Sequence, residues 1–201
     1  MEVNVKKLEM DKLNSYIRIF DNVLPENTLK IFRKICEDHV DYEEASVVNN
    51  KGKNSIVHEI RNVKTKVLSN LFDKSLTTVH WTSLLLYKFT LHIDKYANDF
   101  NMRDFQCAIN DIQILKYTKG HHYKFHHDHV ACYPRTLSLI FFVNDDYEGG
   151  DLKFKLVGTE NTLTIEKKPN RLIIWPSNFM YPHSVTPVES GTRYSVVAWA
   201  L

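Results

Sequence analysis

Residues 117–128 read YTKGHHYKFHHD, and this stretch contains four of the ten histidines of the chain. Taken alone, such a cluster has three interpretations: a solvated polar loop, a metal site, or a site of proton transfer. His126 and Asp128 are separated by one residue, and in an extended segment residues i and i+2 point to the same face. The two side chains could therefore hold one ion from adjacent positions, although a single His-x-Asp is a weak signal.

The metal interpretation is strengthened by His183 and Arg193, which occur later in the chain. His183 lies 55 residues after Asp128, behind a predicted strand at 171–175. Two histidines and one carboxylate on one face of a metal form the facial triad of non-heme Fe(II) oxygenases. Arg193 follows ten residues later, and an arginine can bind a carboxylate through two parallel hydrogen bonds. A cosubstrate with a distal carboxylate would explain why these residues occur together.

The rest of the cluster is expected to be solvated or to support the metal ligands. The histidines in question are His121, His122, His127 and His129.

The region around this stretch predicts β-structure. Only one of six prolines precedes residue 134, and only one of six glycines precedes residue 120, so turn residues crowd into the second half. Between them lie short runs rich in β-branched and aromatic residues, which predict strands. These runs are 112–117, 137–143, 151–154, 163–165, 171–175 and 194–199. Short strands of this kind favour a sandwich or barrel.

The first half is expected to be helical with some strand. Apolar residues recur at spacings of three and four between 28 and 39, after a proline suited to a first helical turn. A second helix is predicted over 81–96, a strand over 15–20 and a polar loop over 49–54. No linker separates the halves, so we predict one domain over 1–201. Residues 1–105 would be a helix-rich support for a β core over 106–201.

Composition narrows the class of protein. The chain has 201 residues, 43% hydrophobic and 25% charged, which is typical of a globular domain. Its formal net charge is +2, so duplex nucleic acid is an unlikely partner. The three cysteines are too scattered for a disulfide framework. We find no signal peptide and no membrane span, and expect a cytoplasmic protein with no membrane partner.

Several segments in a fixed order resemble the prolyl-4-hydroxylase-like branch of the Fe(II)- and 2-oxoglutarate-dependent dioxygenases. The resemblance covers 112–199, a little under half of the chain, and together its pieces are highly specific. They are 117–128, Arg135-Thr136-Leu137-Ser138-Leu139, Asn144-Asp145, Glu148-Gly149-Gly150-Asp151-Leu152, Trp175-Pro176-Ser177, His183-Ser184-Val185 and Gly191-Thr192-Arg193-Tyr194-Ser195.

The resemblance implies a fold and a site. The fold is a double-stranded β-helix (a cupin-like jelly roll) buttressed by helices. His126, Asp128 and His183 would be the catalytic metal ligands for Fe(II), with O2 as the second substrate. Four residues would hold 2-oxoglutarate, Arg193 at its far carboxylate: Tyr117, Leu152, Arg193 and Ser195. Ascorbate is a further candidate cofactor.

Two departures from the family pattern concern the cosubstrate. The collagen-type branch usually has lysine at the position of Arg193, and the oxygen-sensing branch has tyrosine at that of Phe142. Ser195 or Tyr117 could supply the missing hydrogen bond.

The predicted function is hydroxylation of a C–H bond, coupled to conversion of 2-oxoglutarate to succinate and CO2. A prolyl or other residue in a protein or peptide is the favoured acceptor. The alternatives are an oxygenase acting on a small molecule or free amino acid, and a non-catalytic metal-binding jelly roll. Loops at 49–54, 118–123 and 129–135 are the candidate acceptor-binding segments.

Overall fold

The computed structural model describes residues 11–48, 54–68, 75–132 and 134–201. Its three helices are α1 (Asp11–Asn14), α2 (Glu26–Asp38) and α3 (Leu76–Asp99). Sixteen strands make up the rest of the regular structure. They are β1 (Arg18–Asp21), β2 (Glu43–Glu44), β3 (Val47–Val48), β4 (Asn54–Ser55), β5 (Arg61–Asn62), β6 (Lys64–Val67), β7 (Ile109–Tyr117), β8 (His122–His126), β9 (Leu137–Phe142), β10 (Tyr147–Gly149), β11 (Leu152–Lys155), β12 (Thr162–Ile165), β13 (Arg171–Pro176), β14 (His183–Val185), β15 (Val188–Gly191) and β16 (Arg193–Ala200).

Two antiparallel sheets form the β core. The major sheet has the order β1-β13-β9-β16-β7-β6-β2, and the minor sheet has the order β12-β11-β14-β8-β5. One apolar cluster contains residues of both sheets, among them Ile140 and Val197 from the major sheet and Leu152 and Phe154 from the minor one. The two sheets therefore pack face to face, as in a jelly roll.

The central strands of the major sheet are buried on both faces. Along β16, Val197 and Trp199 belong to the cluster between the sheets, whereas Val196 and Ala198 belong to a second cluster that contains the helices. Successive side chains of a strand point to opposite faces, so each strand serves two cores. This explains why β9 and β16 are almost continuously apolar instead of alternating.

Helices α2 and α3 cover the outer face of the major sheet. Phe32 of α2 packs against Trp81 of α3 with ring centroids 4.8 Å apart, and Phe89 of α3 lies 6.1 Å from Phe141 of β9. Ser75 begins α3, because its hydroxyl accepts a hydrogen bond from the backbone N–H of Thr78. Helices α2 and α3 thus support the outer face of the major sheet, and the inner face remains available for packing against the minor sheet.

The expectation of a helix-rich first half with some strand is met only in part. Both expected helices are present, and α3 extends beyond the predicted 81–96 at both ends. However, six strands also occur before residue 68, and β1 and β6 join the major sheet beside β13 and β7. Strand β1 overlaps the strand predicted over 15–20, whereas β2 to β6 were not predicted, because strands of two to four residues give no clear alternating pattern.

The predicted strands and loops can be compared with the described residues. The strands of the second half are confirmed to within a few residues, while β8, β10, β14 and β15 were not predicted as strands. Most of the loop at 49–54, and residue 133 of the loop at 129–135, lie outside the described residues. The single domain remains a prediction, as does a cytoplasmic location. No helix among the described residues is long and apolar enough to cross a membrane.

The first testable prediction concerns the ion pair that fixes β1 to β13. Arg171 donates from Nε to Asp21 Oδ1 at 2.8 Å and from Nη2 to Oδ2 at 3.2 Å, and these bonds lower the pKa of Asp21 to about 2. Asp21→Asn should therefore reduce the free energy of unfolding at pH 7 by about 1 kcal/mol, measured by urea denaturation.

The effect should depend on pH with a definite sign. Because the pKa of Asp21 is lowered by folding, its contribution is present above the unfolded pKa near 4 and is lost as the pH falls towards 2. The difference between wild type and variant should shrink over that range. Asp104→Asn, at an exposed position, is the control and should change little. A difference that stayed constant down to pH 2 would contradict this account.

Candidate metal centre

Three side chains converge between β8 and β14. His126 is the last residue of β8 and lies directly opposite His183, the first residue of β14. Asp128 follows two residues after β8, with Oδ1 3.5 Å from His126 Nε2 and Oδ2 3.4 Å from His183 Nε2. One ligand atom from each residue lies within 4.8 Å of the other two. This is the only such group of three or more metal-binding side chains among the described residues.

Hydrogen bonds to the backbone orient both imidazoles. His126 Nδ1 lies 2.8 Å from the carbonyl oxygen of Lys124, and His183 Nδ1 lies 3.1 Å from that of Tyr181. A carbonyl only accepts, so each Nδ1 carries a proton and each neutral ring has its lone pair on Nε2. Both Nε2 atoms face Asp128, so the two rings present the atoms a metal requires.

Asp128 is held by buried hydroxyl groups. Ser138 Oγ donates to Asp128 Oδ2 at 2.7 Å and lies 2.7 Å from Ser177 Oγ. Burial alone would raise the pKa of Asp128, but His183, His126 and the Ser138 hydroxyl outweigh it and hold the pKa far below its usual range. The carboxylate is therefore charged at neutral pH.

His183, by contrast, is neutral at pH 7 because burial dominates its pKa. Removal from water lowers its pKa to about 4, although Asp128 acts in the opposite direction. A neutral imidazole is the form that ligates a metal. Rings of Trp175 and Phe154 surround His183, with centroids 4.9 and 5.7 Å away.

Arg193 is a fully buried guanidinium group with unused donors. It lies opposite Tyr117 where β16 pairs with β7, and its Nη1 donates to Ser195 Oγ at 3.0 Å. Its Nε and Nη2 have no hydrogen-bond partner among the described residues. The rings of Tyr117 and Phe142 lie 4.8 and 5.4 Å from its Cζ. A buried cation in this state is expected to bind an anion.

The remaining predicted cosubstrate residues lie in the same interior. Tyr117 and Leu152 are almost fully buried in the cluster between the sheets, and burial raises the pKa of Tyr117. Gly150, two residues before Leu152, has a positive φ of +62°. A Cβ on Gly150 would lie 3.1 Å from Arg193 Cδ. The Gly149-Gly150 turn thus makes room for the arginine, as a turn and not as a phosphate-binding loop.

The other histidines of the cluster do not join the centre. His127 and His129 bond to backbone carbonyls of His129 and Arg135, and His122 lies near those of Gly120 and Glu59. His121 lies 3.3 Å from the hydroxyl of Thr118.

Three residues that the sequence analysis did not assign surround the triad. They are Tyr123, whose ring stacks on His126 at 3.5 Å, Ser138, and Arg135, whose Cζ lies 3.8 Å from the ring of Trp199. Ser138 and Arg135 belong to the stretch 135–139 that carries the resemblance, so that stretch was the available signal.

Two histidines and one aspartate in this arrangement match the facial triad of the non-heme iron oxygenases. Comparison with known families agrees: residues 112–201 match the 2OG-Fe(II) oxygenase superfamily.

Curated relatives are similar over part of their length. A PKHD-type hydroxylase of Synechococcus is 33% identical over 95 residues, which is 45% of this chain and 41% of the relative. Human prolyl 3-hydroxylase 2 is 35% identical over 66 residues, 32% of this chain and 9% of that protein. The chain thus spans about two fifths of the first relative and a small part of the second.

Solved structures share the fold across nearly the whole chain. A Pseudomonas putida prolyl-4-hydroxylase superposes with a TM-score of 0.68 at 16% identity, covering 94% of this chain and 95% of that one. A Trichoplax adhaerens prolyl hydroxylase, solved with a peptide fragment of hypoxia inducible factor, gives 0.71 at 18% identity, covering 96% and 86%.

These similarities confirm the predicted resemblance: the chain is similar to 2OG-Fe(II) oxygenases over residues 112–201, and it shares its fold with prolyl hydroxylases. The predicted jelly roll is supported by the same neighbours. Fe(II), 2-oxoglutarate and O2 follow from the superfamily match, whereas ascorbate stays a prediction. The roles of individual residues also remain predictions.

The second testable prediction concerns Ser138. Ser138→Ala removes the only side-chain hydroxyl described as donating to Asp128, so the carboxylate loses orientation. We expect metal affinity to fall by about 10- to 100-fold, the usual effect of losing such a supporting bond. Competition with a colorimetric chelator would measure it. Ser184→Ala is the matched control, because it removes another buried hydroxyl beside His183. Equal affinities of the two variants would rule out this role for Ser138.

Proposed function

We propose that this protein hydroxylates a C–H bond of a protein or peptide, with a prolyl residue as the favoured acceptor. Fe(II) would be held by His126, Asp128 and His183, and 2-oxoglutarate would be consumed to succinate and CO2. The observation that carries the proposal is the pairing of a metal-competent triad with an unsatisfied buried arginine between the same sheets. A bare metal-binding jelly roll would have no use for that arginine.

The donor set fits Fe(II). Two imidazole nitrogens and one carboxylate leave three positions of an octahedral ion open, as the facial triad does. Bound in this way, the metal supplies redox chemistry with O2 that no side chain of the chain can supply. The protein's own contribution is to place and orient the ligands and to keep water out.

The cosubstrate site follows from Arg193. Its free Nε and Nη2 match the two oxygens of one carboxylate, and Ser195 fixes the group through Nη1. Apolar walls from Leu152, Phe142 and Tyr117 exclude water, which strengthens a charge-assisted bond. The missing tyrosine hydroxyl at Phe142 is offset by Ser195, which already contacts the arginine.

A peptide acceptor is supported by the neighbours. One solved structure with this fold holds a peptide fragment, and two groups of relatives carry the name hydroxylase or prolyl hydroxylase. The alternative acceptor is a small molecule or a free amino acid.

The third testable prediction is an anaerobic titration of the metal-free protein with Fe(II) and 2-oxoglutarate, followed by visible absorption. A 2-oxo acid chelating iron through two oxygens should give a charge-transfer band. The band should vanish in His126→Ala, which removes a ligand. It should require far more 2-oxoglutarate in Arg193→Met, which removes the carboxylate partner but keeps the metal ligands.

Two controls make this titration decisive. His129→Ala removes a nearby histidine that bonds only to the backbone at Arg135, so its band should match wild type. Succinate should replace 2-oxoglutarate without producing a band, since it lacks the 2-oxo group. Folded wild-type protein that binds Fe(II) but shows no band would refute the dioxygenase proposal.

The fourth prediction concerns turnover. Asp128→Ala should abolish succinate formation, because it removes the only carboxylate ligand and leaves two imidazoles beside an empty position. Circular dichroism would show whether the variant is folded. Full succinate formation by folded Asp128→Ala would refute the assigned triad.

A further inference from the structure

The backbone that carries Arg193 is paired unequally on the two sides of β16. Toward β7, Arg193 has a register partner in Tyr117. Toward β9, the register pairs run only from Ser195 to Ala200, because β9 ends at Phe142. On that side, Arg193 therefore lies beyond the last described strand pair, and something other than a strand must hold its backbone.

The side chain of Asn144 takes the place of the missing strand. Asn144 lies two residues after the end of β9 and is almost completely buried. Its Oδ1 accepts a hydrogen bond from the backbone N–H of Tyr194 at 2.8 Å, and its Nδ2 donates to the carbonyl oxygen of Thr192 at 2.8 Å. These two groups belong to the peptide units immediately before and after the Cα of Arg193. One amide therefore holds both peptide planes that determine φ and ψ of Arg193.

The second donor of the Asn144 amide is also used. Its Nδ2 donates to Asp146 Oδ1 at 2.7 Å, and Asp146 Oδ2 accepts from Nη2 of Arg33 on α2 at 2.6 Å. An amide turned by half a rotation would direct its NH2 group at the Tyr194 N–H and its oxygen at two acceptors. Only the described orientation satisfies every partner, and Asp146 keeps the amide in it.

The position of the Arg193 guanidinium group depends on this backbone. Arg193 is fully buried, and only its Nη1 has a described hydrogen bond, to Ser195 Oγ. Because the side chain is long, a small rotation of the peptide planes moves the guanidinium group much further than it moves the Cα. Two parallel hydrogen bonds to a carboxylate tolerate little misalignment. Loss of the Asn144 contacts should therefore be felt at the far end of the arginine.

We propose that Asn144 is a positioning residue for 2-oxoglutarate binding. It holds the backbone on both sides of Arg193, so that the guanidinium group meets the far carboxylate of the cosubstrate. Asp146 and Arg33 act one and two contacts further out, by orienting the Asn144 amide. This inference rests on the proposed function and adds to it a residue that acts only through Arg193.

A matched pair of 2-oxo acids isolates the contact made by Arg193. 2-Oxoglutarate and 2-oxovalerate chelate iron through the same group, but 2-oxovalerate has a methyl group in place of the far carboxylate. The dissociation constant of each is measured with the full chain and Fe(II) by the anaerobic charge-transfer titration. Their ratio is the selectivity for the far carboxylate. Wild type should bind 2-oxoglutarate about 100-fold more tightly, in the range expected of hydrogen bonds to a charged group.

The variants should change this selectivity in a graded way. Asn144→Ala should lower it about tenfold, by weakening the binding of 2-oxoglutarate and not that of 2-oxovalerate. Asp146→Ala should lower it about threefold, whereas Asp146→Asn keeps an acceptor for the Asn144 amide and should restore the wild-type value. In an Arg193→Met background, Asn144→Ala should cause no further loss, because the two residues act as a unit.

Asn170→Gly is the matched control. Asn170 is another buried asparagine, and its amide bonds the N–H and the carbonyl oxygen of Leu24 at 2.8 and 2.7 Å. Glycine accepts the positive φ of 66° at this position. The variant should unfold at a lower temperature but keep the selectivity, which separates a general loss of stability from an effect on Arg193.

Three outcomes would overturn the inference. They are an unchanged selectivity in folded Asn144→Ala, an equal weakening of both 2-oxo acids, and a further loss in the Arg193→Met background. Circular dichroism shows whether each variant is folded. If Asn144→Ala is not, an unchanged selectivity in Asp146→Ala overturns the inference instead.

The wild-type titration separates this inference from the proposed function. No band with either acid, or equal binding of the two acids by wild type, refutes the proposed function and the positioning role with it. A selective wild type and an equally selective Asn144→Ala refute the positioning role alone.

Discussion

Asp128 is a carboxylate almost completely removed from water, and an ion in that position is stable only among compensating partners. Its two oxygens face two different histidines, and a hydroxyl holds one of those oxygens. The histidines come from chain segments 57 residues apart and meet only because β8 pairs with β14. Three features therefore stabilise the charged carboxylate of Asp128: the loop after β8, the pairing of β8 with β14, and the buried serine hydroxyl groups.

Arg193, the other buried charge between the sheets, also requires a compensating partner. It has a single described hydrogen bond, and its Nε and Nη2 have no partner among the described residues. The rings of Tyr117 and Phe142 lie beside its guanidinium group. A buried cation without a counter-ion destabilises the folded protein, and the carboxylate of a cosubstrate would remove this penalty. Cosubstrate binding should therefore also stabilise the fold around Arg193.

The sequence was most informative where chemistry depends on spacing. His126, Asp128, His183 and Arg193 were identified as one site because their residue types and order match a known reaction, and the structure brings the first three within ligand distance. The long strands followed from runs of apolar residues. By contrast, β6 is too short and polar to show a period, and it forms by pairing with β7 of the major sheet. The contacts of Asn144 could not be assigned, since its nearness to Thr192 and Tyr194 arises from the pairing of distant strands, which no local pattern encodes.

Strand β16 has a property that reaches beyond the site. Its alternate side chains face two different cores. Arg193, Ser195 and Trp199 face the interior between the sheets. Tyr194, Val196 and Ala198 face the helices. Replacing one residue disturbs one side only. Inserting or deleting one residue would exchange the sides, sending the arginine into the apolar layer beneath the helices and an alanine or valine to the cosubstrate. This strand can therefore diverge in composition but not in length, so gaps between related sequences should fall in the turns before and after it.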